Sequence, residues 1–419
     1  MDSLIYASII TIGDELLIGQ VVDTNSSWMA TELNKAGVWM KRRVAVGDNR
    51  TDIVQALDLE SSEAQIVLIT GGLGPTADDI TKPVLCEYFG GKLVTDPGAL
   101  KNVQDIFARL QRPMLAVNLK QAEVPDTCTV IQNKRGTAPG MWFEKGGKIF
   151  VSMPGVPHEM KGMMTDYVIP ALQQHFSMPT IVSRTLLTTG IGESFLSELI
   201  KDFEQNLPTT IKLAYLPNYG MVRLRLTGIS YDAAAIETDI QSYFDQLKEQ
   251  VKEYLATDRD EPLSSVVARL LQEAGKTLST AESCTGGYIA HLITQQSGAS
   301  RHFKGSVVSY DNQVKQEVLH VQPDTLQTAG AVSEETVREM VQGALSLLKT
   351  DYALAVSGIM GPEGGAAEKP VGTVWVAAGN STQIITQKFH FRFDRQRNIE
   401  LTANNALNLL RKFIVSEEG

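Results

Sequence analysis

Cysteine is nearly absent from this chain, which has three in 419 residues, Cys86, Cys128 and Cys284. An odd number so widely spaced excludes a disulfide framework and a cysteine metal cluster. Basic residues are the minority sign: 38 Lys and Arg stand against 48 Asp and Glu, a net charge of -10. That balance argues against broad, salt-driven binding to DNA, RNA or an anionic membrane, while leaving room for a local basic pocket. No run approaches the ~20 apolar residues of a membrane span. The N-terminus lacks a basic-then-apolar signal pattern, so a cytoplasmic protein without membrane partners is expected. What is present is ordinary globular material, 43% hydrophobic and 21% charged, in a chain long enough for two or three domains.

The most informative stretch is Val67-Leu68-Ile69-Thr70-Gly71-Gly72-Leu73-Gly74-Pro75-Thr76-Ala77-Asp78-Asp79. Its β-branched run reads as a strand buried on both faces. Three glycines and a proline then make a turn whose backbone can approach a ligand closely. Thr76 is expected to cap the next helix, with Asp78 and Asp79 in its first turn. Amides for phosphate and carboxylates for a cation would then lie together; a tight turn into a well-capped helix is the plain alternative. Upstream, Leu4–Ile12 reads as a strand ending at Gly13-Asp14-Glu15, and Asp23–Asn25 opens a helix. Val38–Val46 reads as a strand and Thr51–Ser61 as a helix. This alternation predicts βαβ units and a mostly parallel sheet, whose ligands bind beyond the carboxyl ends of the strands.

Further on come the polar segment Asn118–Ala122 and two loops rich in glycine and proline, Asn133–Gly140 and Met153–Met160. The segments Gly13–Asn25, Gly71–Asp79, Asn133–Gly140 and Pro154–Met160 resemble the N-terminal domain of the CinA (competence/damage-inducible protein) family, which is similar to the molybdopterin-binding fold. The resemblance implies an ADP-ribose pyrophosphatase that yields AMP and ribose 5-phosphate with a divalent metal, magnesium or similar, and potassium as an activator in some members. Pyrophosphate hydrolysis needs charge neutralised on the leaving oxygens and a positioned water. On this reading Asp14, Asp78 and Asp79 hold the cation, while Gly71, Gly72, Gly74 and Thr76 hold phosphate. Lys120 adds a point charge. Asn25, Asn133, Thr137 and Glu159, with Gly136 and Gly155 beside them, orient the sugars or a water.

From residue 175 to 257 the texture changes. Ile181–Thr188 reads as a strand and Glu193–Phe203 as an amphipathic helix. Ile211–Leu216 and Met221–Thr227 form a hairpin across Pro217-Asn218-Tyr219-Gly220, and Ala233–Leu255 is a long helix. This βαββα order resembles the small α+β KH-type domain of CinA proteins. A nucleic-acid KH module clamps backbone through a GxxG loop; here Gly190-Ile191-Gly192-Glu193 lacks that pattern and the segment is acidic. A spacer or dimerisation role is expected.

After Asp258–Glu261, a charged linker, Pro262 opens a helix that Gly275 closes. Lys276–Thr280 reads as a strand before Ala281-Glu282-Ser283-Cys284-Thr285-Gly286-Gly287, where Ser283 is either an N-cap or a nucleophile. Cys284 lacks a histidine partner in any obvious motif. Gly305–Lys315 runs from strand to helix and places Tyr310 and Lys315 where both could face one pocket. A glycine-rich loop, Val356–Gly365, lies between two strands, and Phe393–Asn398 opens the final helix with Arg395 and Arg397. These segments resemble the C-terminal domain of CinA, the PncC family of nicotinamide-nucleotide amidases. Met360 departs from the small residue usual before the family's GPxGG loop.

This second resemblance implies hydrolysis of nicotinamide mononucleotide (NMN) to nicotinic acid mononucleotide and ammonia without a cofactor. A serine needs a neighbouring base, and a buried lysine of depressed pKa suits that role. Ser283 is then the nucleophile, Lys315 the base and Tyr310 a relay or orienter. Amides near Thr285, Gly286 and Gly287 receive the oxyanion, Arg395 or Arg397 binds phosphate, and Glu282, Gly358 and Gly361 complete the substrate site. The expected whole is α/β: a molybdopterin-binding-like domain (1–174), a KH-like domain (175–257) and an amidase domain (258–419). It would be a homodimer acting on nucleotides. Two other readings stay open, a nucleotide-sensing scaffold in competence or DNA repair, and molybdopterin-precursor binding by the first domain.

Overall fold

The structure, a computed structural model, describes residues 4–76, 78–218 and 220–418. Ala77 of the glycine-rich turn and Tyr219 of the expected hairpin lie outside the described residues. The chain divides into two compact units, Met1–Val182 with Gly228–Asp239, and Ser183–Thr227 with Ile240–Gly419. No helix among the described residues is long and apolar enough to cross a membrane.

The first unit carries a six-stranded sheet. Trp39–Val46, Tyr6–Ile12, Ile66–Thr70 and Lys148–Met153 run parallel in that spatial order, and Gly140–Lys145 and Thr129–Ile131 add antiparallel strands at one edge. Every residue of Ile66–Thr70 is buried, as its unbroken apolar run requires of a strand covered on both faces. Helix Thr24–Lys35 is capped by Asp23, whose carboxylate accepts the Ser26 N–H; helix Arg50–Glu63 is capped by Asn49.

Downstream, a four-stranded sheet runs in the order Ile211–Asn218, Met221–Ser230, Thr180–Thr189, Leu255–Thr257. The expected hairpin and helices are there, with two differences. The first helix is interrupted at Ile200, giving Glu193–Leu199 and Lys201–Gln205. The long helix ends at Gln250 instead of Leu255, and Leu255 pairs antiparallel with Thr188. Leu255 lies four residues beyond Val251, on the helical stripe, so periodicity extends the helix too far; the open strand edge takes its backbone instead. Asp258–Glu261 is no loose linker, since Arg223 pairs with Asp260, and Arg269 pairs with Glu261.

The C-terminal sheet is mixed, in the order Phe303–Val308, Leu278–Glu282, Tyr352–Gly358, Thr373–Gly379, Ile384–His390. Its first three strands are parallel, and Thr373–Gly379 runs antiparallel to both its neighbours. Helices Leu263–Glu273, Glu334–Leu348 and Arg395–Glu418 flank it, and Ala281, Ala353, Ala355 and Ala377 let Val337, Met340 and Val341 pack closely.

Candidate active sites

In the first unit the carboxyl ends of Tyr6–Ile12, Ile66–Thr70 and Lys148–Met153 open into a cavity of about 540 Å³, where the topology places ligands of such sheets. Gly71 has φ 113°, and a Cβ there would run into the Ile12 carbonyl, so glycine is required. Beyond it the expected capped helix is absent. Helix Thr81–Tyr88 begins later, with Ile80 at its N-cap and no side-chain cap. Asp79 instead folds back on its own loop: Oδ1 accepts the Gly74 N–H at 2.8 Å, and Oδ2 accepts the N–H of Thr76 at 2.9 Å and its hydroxyl. The Gly71 N–H donates to the Met153 carbonyl. Of the groups expected to hold phosphate, Gly71, Gly74 and Thr76 are therefore committed within the fold.

Asp78 and Asp79 line the cavity, whereas Asp14 does not. The Asp14 carboxylate accepts the Asp48 N–H at 3.2 Å, and Asp48 accepts the Asp14 N–H at 3.0 Å. Asp48 does line the cavity, and sequence reasoning missed it, although it follows a parallel strand at Gly47-Asp48-Asn49. Burial raises the Asp48 carboxyl above its ordinary value, and the charges of Asp14, Glu15 and Asp78 raise it further. Among the described residues the lining holds six carboxylates, Glu15, Asp23, Asp48, Asp78, Asp79 and Glu159, and no lysine, arginine or histidine.

Lys120 is exposed and outside the lining; only its carbonyl matters here, accepting from Lys82 Nζ, which also donates to Gln121. Burial lowers Lys82 to about 8. Asn25, 9% exposed, donates to the Gly155 carbonyl at 2.7 Å, while its own Oδ1 has no partner among the described residues. Glu159 accepts from Asn133 at 2.6 Å, and a Cβ on Gly136 would run into the Glu159 carboxylate. Thr137 and Gly155 line the cavity directly.

In the second unit, Ser283, Tyr310, Lys315, Gly358 and Arg395 line a cavity of about 230 Å³. The strand Leu278–Glu282 ends in Glu282, 0% exposed, whose carboxylate accepts the N–H groups of Gly287, Ile289 and Ala290 and the Thr285 hydroxyl. Glu282 thus caps helix Tyr288–Thr294 from beneath, and Ser283 is spared that role. The Gly286 N–H donates to the Ser283 carbonyl, so two of the three expected oxyanion amides, Gly286 and Gly287, are already used.

Lys315 is 1% exposed, its Nζ donating to the carbonyls of Ser309 at 2.8 Å and Tyr310 at 3.3 Å. Neither acceptor carries a charge, and burial holds the amine below its ordinary value. Arg395 ties the site together, donating to the Gly361 carbonyl and to the Tyr310 hydroxyl, both at 2.9 Å. Arg397 faces elsewhere, its guanidinium 4.3 Å from the Phe393 ring centroid and outside this lining. Cys284 lines the cavity, but burial pushes its thiol up to about 12, leaving no thiolate at neutral pH. No carboxylate lines this cavity among the described residues.

Two α/β domains with polar cavities of opposite charge at strand ends, joined in sequence by a small α+β segment, define a multidomain α/β protein. Family models match the probable molybdopterin binding domain at residues 8–174, the damage-inducible protein CinA KH domain at 183–255 and the CinA C-terminal domain at 260–414. A CinA-like protein of Cytophaga hutchinsonii is 44% identical across 98% of this chain and 99% of its own length. A CinA-like protein of Flavobacterium psychrophilum is 42% identical across 98% of each. A putative competence-damage inducible protein of Caldicellulosiruptor bescii is 40% identical across 98% and 99%. The chain belongs to the CinA family.

Proposed function

We propose that the C-terminal domain hydrolyses NMN to nicotinic acid mononucleotide and ammonia, and that the N-terminal domain cleaves ADP-ribose to AMP and ribose 5-phosphate. The observation that carries the first activity is one small cavity lined by Ser283, Tyr310, a buried Lys315 and Arg395. Arg395 gives the substrate phosphate a fixed cation. Ser283 Oγ attacks the carboxamide carbon as its proton passes to Lys315 Nζ, directly or through Tyr310. The tetrahedral intermediate collapses, breaking the C–N bond, and Lys315 returns the proton to the departing ammonia. Water then attacks the acyl-serine, giving the carboxylate and restoring Ser283. The Arg395 bond to the Tyr310 hydroxyl favours orientation as that residue's task.

For the N-terminal domain the charge of the cavity decides what must accompany the substrate. No three His, Cys, Asp or Glu side chains among the described residues converge closely enough to hold an ion alone. Magnesium commonly takes one or two carboxylates and completes its shell with substrate phosphates and water, and that donor set fits here. Asp78, with Asp14 and Asp48 nearby, would hold such a cation. When bound, the ion neutralises the pyrophosphate and activates a water. Asn25 Oδ1, buried without a partner among the described residues, suits a ribose hydroxyl, and Glu159 suits a second hydroxyl or the water. Potassium as an activator and a homodimeric assembly belong to the same proposal.

Ammonia release from NMN by the full chain, and AMP release from ADP-ribose with Mg²⁺, test the two halves. Ser283→Ala is expected to abolish the first and leave the second. Undiminished ammonia release by that variant would overturn the amidase assignment. Ligand binding without turnover of either compound would point instead to a sensing role.

A further inference from the structure

A second, smaller cavity of the first unit, about 190 Å³, shares Glu159 with the first. It is less than the 300–1,000 Å³ typical of a whole ligand pocket and has room for one ring system. Its character is the reverse of its neighbour's. Val130, Ile131 and Met163 supply apolar wall, and Lys134 and Arg135 balance Glu159 and Asp166. A wall without net charge gives a phosphate no preference for it, but suits a neutral, flat, polar-edged ring.

Local backbone builds this cavity. Pro170 has no N–H to return to the Asp166 carbonyl, and the helix widens into a π-turn over Met164–Val168. Such turns are rare and concentrate at functional sites. Two of its residues, Asp166 and Tyr167, line the cavity. The Tyr167 ring is set edge-on to Trp142 with centroids 6.2 Å apart, and remains 37% exposed. Arg135 lies against Gly162, where a Cβ would sit 2.6 Å from its Nε, and its Nη1 donates to the His158 carbonyl. The planar guanidinium is thereby laid along the cavity wall.

We infer that this cavity receives the heteroaromatic base of a ligand whose ribose lies at Glu159 and whose pyrophosphate lies further into the acidic cavity. The inference rests on the ADP-ribose reading, which makes that base adenine. Glu159, held by Asn133, then divides a compartment for the charged, hydroxylated part from a compartment for the ring.

Calorimetry of the full chain with adenosine, which carries neither phosphate nor metal, tests the base compartment apart from catalysis. The wild-type protein should bind adenosine. Tyr167→Ala and Gly162→Ala, the second displacing Arg135, should each bind it about tenfold more weakly, and Tyr167→Phe should restore affinity. In ADP-ribose turnover the same two variants should raise KM with kcat little changed, as loss of uniform binding does. No adenosine binding by the wild type, or equal binding by both variants, would overturn the base compartment. Adenosine binding without any ADP-ribose turnover would leave the compartment standing and overturn the pyrophosphatase reading.

Discussion

Lys315 and Glu282 are both buried ionisable side chains near Ser283, yet they do different work. Lys315 is surrounded by carbonyl oxygens rather than carboxylates, so burial lowers its pKa and a neutral amine becomes accessible. The rate of ammonia release should therefore rise with pH through that lowered value, with its acid limb below the ordinary lysine value of 10.5. Lys315→Arg, which keeps the proton at all accessible pH, should be inactive across the whole pH profile. Glu282 instead satisfies three backbone N–H groups. Glu282→Ala leaves these donors buried and unpaired, costing roughly 3 kcal/mol, which a lowered urea midpoint would register even with Ser283 intact. Cys284→Ala should retain activity, because its thiol at about 12 contributes no nucleophile.

The loop from Gly71 to Asp79 separates two adjacent carboxylates that look interchangeable in sequence. Asp79 braces the loop through Gly74 and Thr76. Asp79→Ala should therefore lower stability and raise amide exchange at Gly74 and Thr76. Asp78 is exposed and its side chain also bonds Thr76, so Asp78→Ala should lower stability less than Asp79→Ala, and weaken metal-dependent ADP-ribose binding. Equal effects of the two on the urea midpoint would contradict this division. The strand before the loop and the cavity beyond it were legible in sequence, because β-branched runs and glycine turns report local backbone. The partner a carboxylate chooses is a tertiary matter. Hence the Asp79 and Glu282 carboxylates accept from nearby backbone N–H groups, Asp48 went unnoticed, and Lys82 rather than Lys120 is the buried cation. Ser283, Tyr310 and Lys315 share the second cavity because Ser283 and Tyr310 follow strand ends and Lys315 sits on the short helix that the second strand leads into. Of the two arginines offered for phosphate, Arg395 lines the cavity and Arg397 does not, because two positions along a helix turn a side chain by about 200°.

At the scale of the molecule the two cavities share an address, the carboxyl ends of parallel strands, and differ in sign. Among the described residues the N-terminal lining carries six carboxylates without a cationic side chain, and the amides of Gly71, Gly74 and Thr76 are spent on the fold. A pyrophosphate brought there meets only like charge at short range, where unit charges 4 Å apart interact by about 4 kcal/mol at an effective dielectric of ~20. It can enter only with counter-charge. Among the described residues the C-terminal lining holds Lys315 and Arg395 without a carboxylate, so a nucleoside monophosphate would bring all the charge that site requires. One chelation experiment on the full chain reads both consequences. EDTA should abolish AMP release from ADP-ribose, with recovery on adding Mg²⁺, while ammonia release from NMN in the same sample stays within about twofold, below 0.5 kcal/mol in barrier. Parallel loss of both activities would mean that charge does not divide the two sites, and that the carboxylates of the first cavity serve another ligand.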